Sequence, residues 1–139
     1  MVDDSLLSCA KDAEVHIVVD RGGQRAYLLV DGQVAIDTPV STGASGHTTP
    51  LGDFTILEKR RSGKISTIYK CPLPRWMRLT WRGIGMHVGK LPGYPASHGC
   101  IRLPEEGASA IFAHAPAGTK VTVVKEWTGP TGDTSLAAQ

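Results

Sequence analysis

The sequence predicts a mostly β, β-rich α+β domain: a sandwich or partly closed barrel of short strands, with one short helix after the strand that carries the chemistry. Three observations support this. Short β-branched runs recur from residue 15 onward, separated by Gly, Asp and Pro. A single stretch, following Pro104, keeps the i, i+3, i+4, i+7 spacing of a helix. The 16 glycines and 9 prolines among 139 residues require many turns, and a chain of that length holds one core rather than two.

Taken in order, Val15-His16-Ile17-Val18-Val19 is a strand, and Asp20-Arg21-Gly22-Gly23 turns it. Ala26 to Val30 returns, Asp31-Gly32 is a two-residue hairpin signal, and Val34 to Val40 is the third strand, with Pro39 marking an edge or an end. Ser41 to Pro50 is a Gly/Ser/Thr loop, followed by a strand over 53–58. Residues 59–75 are basic and aperiodic, as in a long surface excursion. Arg78 to Trp81, Ile84 to His87 and His98 to Leu103 read as short strands, the last two joined by the turn-rich segment 91–96. Pro104 suits a first helical position, Glu105 and Glu106 complement the positive helix N-terminus, and Ala108, Ile111, Phe112 and Ala115 form the apolar stripe. Pro116 and Gly118 end the helix, and Thr119 to Val124 is the closing strand. The expected organisation is an N-terminal extension over 1–13, a catalytic domain over 14–126 and a tail over 127–139.

No apolar run reaches the roughly 20 residues needed to cross a bilayer. The start, Met1-Val2-Asp3-Asp4, lacks the basic and apolar regions of a signal peptide. The chain is therefore either cytosolic or a mature, trimmed form. Leu6-Leu7-Ser8-Cys9 loosely resembles the end of a lipoprotein signal without the apolar region that should precede it, so an exposed terminal cysteine is the plainer reading. Cysteines at 9, 71 and 100 form neither a metal-type cluster nor a disulfide framework.

The net charge of +2 hides an uneven distribution: nine basic and no acidic residues lie from Lys59 to Lys90. Such a patch is either a solvated face or a surface for an acidic polymer. Nucleic acid is the weaker partner, because Trp76, Trp81 and Trp127 are scattered and make no stacking platform.

The chemistry concentrates in Met86-His87-Val88-Gly89 and in Tyr94 to Arg102. A thiol needs a neighbour that favours thiolate, and Cys100 has two candidate bases. His98, two residues away, would stand beside Cys100 on one face of an extended segment. His87, on a separate strand, can meet the thiol head-on, so His87 is the expected base and His98 a pocket residue. The N–H groups of Gly99 and Cys100 could stabilise an oxyanion, and Arg102, on the same strand face, could grip a carboxylate in bidentate fashion. Activation by His87 predicts a thiol that reacts fast at pH ~6–7, below the free-thiol value of about 8.5. His87, His98 and Cys100 as three zinc ligands is the rival reading; without a fourth ligand at metal-type spacing, neither metal nor cofactor is expected.

Ser97-His98-Gly99-Cys100-Ile101-Arg102, preceded by Met86-His87-Val88-Gly89, closely resembles the active-site signature of the L,D-transpeptidase catalytic domains (YkuD type) of bacterial cell walls. Ser41-Thr42-Gly43 and Thr49-Pro50-Leu51-Gly52-Asp53-Phe54 match further family elements in order, so the resemblance spans roughly Glu14 to Val124. It implies a YkuD-like sandwich, Cys100 as acylated nucleophile and His87 as its activator, with the Val88 carbonyl orienting the imidazole. Ser97, His98 and Gly99 would form the pocket and oxyanion region. Arg102 would contact the donor stem, and Tyr69 would correspond to an active-site tyrosine of some members. The implied reaction attacks the amide between the third residue of a peptidoglycan tetrapeptide stem and its terminal D-Ala, and passes the acyl group to an amine. Water as acceptor would give a carboxypeptidase or endopeptidase instead, and a non-catalytic wall-binding module is the reading from another class. The resemblance also implies carbapenem acylation and a place in the bacterial cell envelope. The loop from His87 to Ser97 is shorter than in many members, and Pro104-Glu105 stands where many carry Asn; both bear on the acceptor, not on the nucleophile.

Overall fold

The structure, a computed structural model, describes residues 2–8, 13–62, 64 and 72–129. Tyr69, Cys9, Cys71 and the tail beyond Gly129 lie outside the described residues, as do residues 63 and 65–71 of the basic excursion. Two sheets face each other across one core. The larger has the order β3-β2-β1-β9-β4, built from β1 (Val15–Asp20), β2 (Arg25–Val30), β3 (Gln33–Pro39), β4 (Gly52–Thr55) and β9 (Lys120–Val124). The smaller has the order β5-β6-β7-β8, built from β5 (Glu58–Arg60), β6 (Trp76–Arg78), β7 (Gly85–Val88) and β8 (Ile101–Leu103).

The hairpin between β2 and β3 forms at the expected dipeptide: Asp31 and Gly32 both take positive φ, 47° and 83°, as a tight two-residue turn requires. Strand alternation then divides the larger sheet. Ile17, Val19, Leu28 and Val121 point into the main core, while Val18, Leu29 and Val124 form a second cluster on the outer face, under Tyr27 and Trp127. The Tyr27 and Trp127 rings pack at a tilt of 46° with centroids 4.4 Å apart. The smaller sheet contributes Met77, Met86, Ile101 and Leu103 to the main core.

Helix α2 (Glu105–His114) starts at Pro104, as the acidic first turn suggests, and presents Gly107, Ala108 and Ile111 to the core. A shorter helix, α1 (Asp4–Ser8), lies within the predicted N-terminal extension. The Asp3 carboxylate caps it by accepting from the Ser5 and Leu6 N–H groups, and Leu7 buries against the core.

Three strands differ from the sequence expectation. The single strand over 53–58 is two strands in different sheets, β4 paired to β9 and β5 to β6. Buried Ile56 is the corner between them, its N–H bonded to the Thr119 carbonyl and its own carbonyl to the Gly118 N–H. Continuous β-propensity cannot reveal where a strand changes sheets, which is a packing event. The strand placed at 78–81 lies earlier, at Trp76–Arg78. The strand placed at 98–103 begins only at Ile101, because Gly99 takes φ +121° and breaks the extended path.

Gly107 sets how closely α2 approaches β3: a Cβ there would overlap the Thr38 hydroxyl and come within 2.8 Å of the Thr38 Cβ. Alanine would gain about 1 kcal/mol in helix propensity but lose about 1–3 kcal/mol to overpacking. Gly107→Ala should therefore lower the Tm by a few degrees in a thermal melt; an unchanged or higher Tm would mean that the helix can back away freely.

Candidate active site

The site is built on the parallel pairing of β7 with β8, in which His87 is the register partner of Arg102 and Met86 that of Ile101. Met86 and Ile101 point into the core, so His87 and Arg102 emerge on the opposite face. Cys100, two residues before Arg102, reaches the same face just ahead of β8. Trp76 and Arg78 of β6 join it there, since their neighbour Met77 is a core residue.

His87 is 6% exposed, and its Nδ1 lies 2.8 Å from the Val88 carbonyl oxygen. A carbonyl only accepts, so Nδ1 carries the proton and Nε2 is left as the basic nitrogen. Burial holds the imidazole below its usual value; the Val88 hydrogen bond acts in the opposite sense, and the Arg102 charge adds to the lowering.

Cys100 is a free thiol, partly exposed, with Sγ 3.4 Å from the Gly83 carbonyl oxygen. Burial pushes the thiol up, while the Gly85 backbone N–H and the charges of Lys64, Arg102 and Arg78 pull it back. The hairpin tip between β6 and β7 thus meets the sulfur through Gly83 and Gly85. Gly85 also tolerates no side chain, because a Cβ would sit 2.6 Å from the Met77 carbonyl oxygen and 2.7 Å from the Trp76 ring.

The turn before Cys100 is clamped by hydroxyls. Ser97 Oγ accepts from the Gly99 N–H at 3.1 Å and donates to the Cys100 carbonyl. The Gly99 N–H is thereby engaged within the loop, whereas the Cys100 N–H belongs to the next peptide. Thr49, with no exposed surface, accepts from the Gly43 N–H at 2.9 Å and donates to the Gly99 carbonyl at 2.7 Å. Ser41 to Gly43 lies against this turn, with Ser41 bridged to Arg102 and Gly43 to Ser97.

Gly99, at φ +121°, breaks the extended path between His98 and Cys100. His98 is exposed, and its ring packs on His47 with centroids 4.3 Å apart. Arg102 lays its aliphatic stem on Gly89, where a Cβ would come within 3.0 Å of it, and its Nη2 lies 3.5 Å from the Ala96 carbonyl.

Several residues at the site have no role in the sequence reading. Buried Trp76 lies beneath His87, ring centroids 6.1 Å apart, and Lys64 Nζ sits 5.1 Å over the Trp76 ring. The Arg78 guanidinium lies 5.4 Å from both the Trp76 and Trp81 rings and is bonded to Glu58 at 2.9 Å. Trp81, 72% exposed, stands at the tip of the hairpin that touches the thiol. The usable signals were the even spacing of Trp76 and Arg78, and a lysine inside the basic stretch. Among the described residues no group of three His, Cys, Asp or Glu side chains is placed to hold a metal ion.

Comparison with known proteins gives one family. The L,D-transpeptidase catalytic domain (YkuD) matches residues 14–123. The Bacillus subtilis protein YkuD is 29% identical over 112 residues, which cover 78% of this chain and 65% of YkuD. An L,D-transpeptidase from Mycobacterium smegmatis superposes with a TM-score of 0.74 at 28% identity, over 81% of this chain and 59% of that one. The Ldtfm–avibactam carbamoyl enzyme gives 0.70 at 31% identity, over 80% and 49%. The match thus spans less than two thirds of each relative.

The sequence argues for a thiol that ionises early; burial of both partners acts in the opposite sense, lowering the imidazole and raising the thiol. Both shifts favour a neutral pair at rest. Alkylation of Cys100 by iodoacetamide, followed by peptide mass mapping, should climb with pH and inflect above about 8.5. A plateau already reached below pH 7 would instead reveal a thiolate–imidazolium pair.

Proposed function

This chain belongs to the YkuD family of L,D-transpeptidase catalytic domains, and on that premise we propose that it is a cysteine-dependent peptidoglycan L,D-transpeptidase. What supports this reading is the register that sets His87 beside Arg102, two residues past Cys100, with His87 Nδ1 tied to a carbonyl so that Nε2 is the basic nitrogen. With both groups neutral at rest, His87 Nε2 takes the Cys100 proton as Sγ attacks the carbonyl carbon of the third stem residue. The amide carbonyl becomes an oxyanion, stabilised by the Cys100 N–H. Its collapse breaks the C–N bond to D-Ala, and the imidazolium returns its proton to the leaving amine. An amine from a second stem then attacks the thioester, loses a proton to His87 and expels the thiol, giving a 3→3 crosslink.

Buried carbonyls that hold an imidazole replace the carboxylate of a Ser-His-Asp triad with a weaker partner. They fix orientation without stabilising imidazolium as strongly, which suits a pair that is neutral at rest. The positive groups around the thiol, Lys64, Arg78 and Arg102, favour a substrate rich in carboxylates, as stem peptides are. Such a substrate places the working enzyme in the bacterial cell envelope. Water as acceptor would make it a carboxypeptidase or endopeptidase. Inhibition by carbapenems follows from the same nucleophile.

Intact-protein mass after incubation with a carbapenem should show one adduct on the wild type and none on Cys100→Ala. With a tetrapeptide stem, product analysis should show D-Ala release and crosslinked dimer; tripeptide alone would replace transfer by hydrolysis. His87→Ala should lower the acylation rate by about 10²–10⁴-fold, the usual contribution of a positioned base. His98→Ala should cost far less, and an equal loss in both variants would reassign the base. A wild type that folds but forms neither adduct nor product would leave the wall-binding module standing in place of the enzyme.

A further inference from the structure

Thr49 opens the Thr-Pro-Leu-Gly-Asp-Phe element of the sequence, to which the catalytic reading assigns no task. Its side chain is fully buried in the wall of the site, and its hydroxyl has two partners. Oγ1 accepts from the Gly43 N–H at 2.9 Å, so its single proton is directed to the Gly99 carbonyl oxygen, 2.7 Å away. The Thr49 backbone is itself held, its carbonyl accepting from Arg21 Nη1 at 2.8 Å. Gly43 allows this approach: a Cβ there would overlap the His47 carbonyl and lie 2.8 Å from the Thr49 nitrogen.

The Gly99 carbonyl and the Cys100 N–H are opposite ends of one planar trans peptide, so fixing the oxygen fixes where the N–H points. That peptide follows a glycine at φ +121°, where the backbone turns with little steric resistance. Ser97 Oγ holds the units on either side, through the Gly99 N–H and the Cys100 carbonyl, but not the one between them. Thr49 holds that one.

We propose that Thr49 is a positioning residue whose hydroxyl, bonded to the Gly99 carbonyl, aims the Cys100 N–H at the oxyanion formed during acyl transfer. This rests on the acyl-transfer reading above and assigns that site its orienting group. The hydroxyl never meets the substrate; it acts through the peptide it holds.

The proposal separates two reactions of the same sulfur. Acylation by a carbapenem passes through an oxyanion and needs the aimed N–H, whereas alkylation by iodoacetamide forms no oxyanion. Thr49→Val, which keeps the shape and removes the hydroxyl, should slow carbapenem acylation about 10- to 100-fold, below the full loss of an oxyanion donor. Iodoacetamide alkylation of Cys100, read by peptide mapping, should stay within about twofold of wild type, and Thr49→Ser should restore acylation. If valine crowds the Gly43 amide and the protein unfolds, Thr49→Ala should give the same split. Wild-type acylation in the hydroxyl-free variants, an equal loss of both reactions, or failure of serine to rescue would each overturn the proposal. A wild type that alkylates but does not acylate would overturn the acyl-transfer reading itself, and the role of Thr49 with it.

Discussion

The parallel pairing of β7 with β8 is the constraint on which the rest of the site depends. Parallel neighbours keep residues in register without the reversal of a hairpin, so His87 and Arg102 stand side by side with Cys100 two residues back. The chain reaches β8 through a loop in place of the usual helix, and that loop delivers the nucleophile. Beyond Ser97, which is bridged to Gly43, side-chain hydroxyls organise the turn, with Ser97 and Thr49 serving three successive peptide units. Buried Met86 and Ile101 anchor the same pair from the core side.

Electrostatics at the site follow from this placement. A buried imidazole and a buried thiol each resist charge, so burial of both favours the neutral pair. The surrounding cations act on the sulfur from a distance: Lys64 over Trp76, and Arg78 held between two indoles and a carboxylate. Arg78 is stiffened on three sides, which reduces the entropy it would lose on meeting an anionic group.

Much of this was legible in the sequence, for identifiable reasons. The hairpin at Asp31-Gly32 and the helix after Pro104 rest on local rules, positive φ and apolar spacing, and both formed where those rules put them. The corner at Ile56 was not legible, because β-propensity runs unbroken through a change of sheet. A two-residue spacing puts His98 and Cys100 on one face only if the backbone between is extended, and Gly99, at φ +121°, is not. The site residues that went without a role, Thr49, Trp76 and Gly85, act through backbone contacts and burial, which a residue type does not announce. Sequence periodicity could show that Trp76 and Arg78 share a face, but not that the face was this one.

The position of β9 has a consequence for how the molecule comes into being. It lies between β1 and β4 in the larger sheet, so residues near the end of the described chain complete a pairing begun near its start, with Ile17 opposite Val121. A nascent chain cannot close that sheet until β9 follows β1 out of the ribosome, about 100 residues later, since Ile17 pairs with Val121. The long-range contact also makes folding slow relative to a domain built from local hairpins. Until that moment β1 and β4 present unpaired edges, a form that aggregation would trap. Closure of the larger sheet therefore waits on β9.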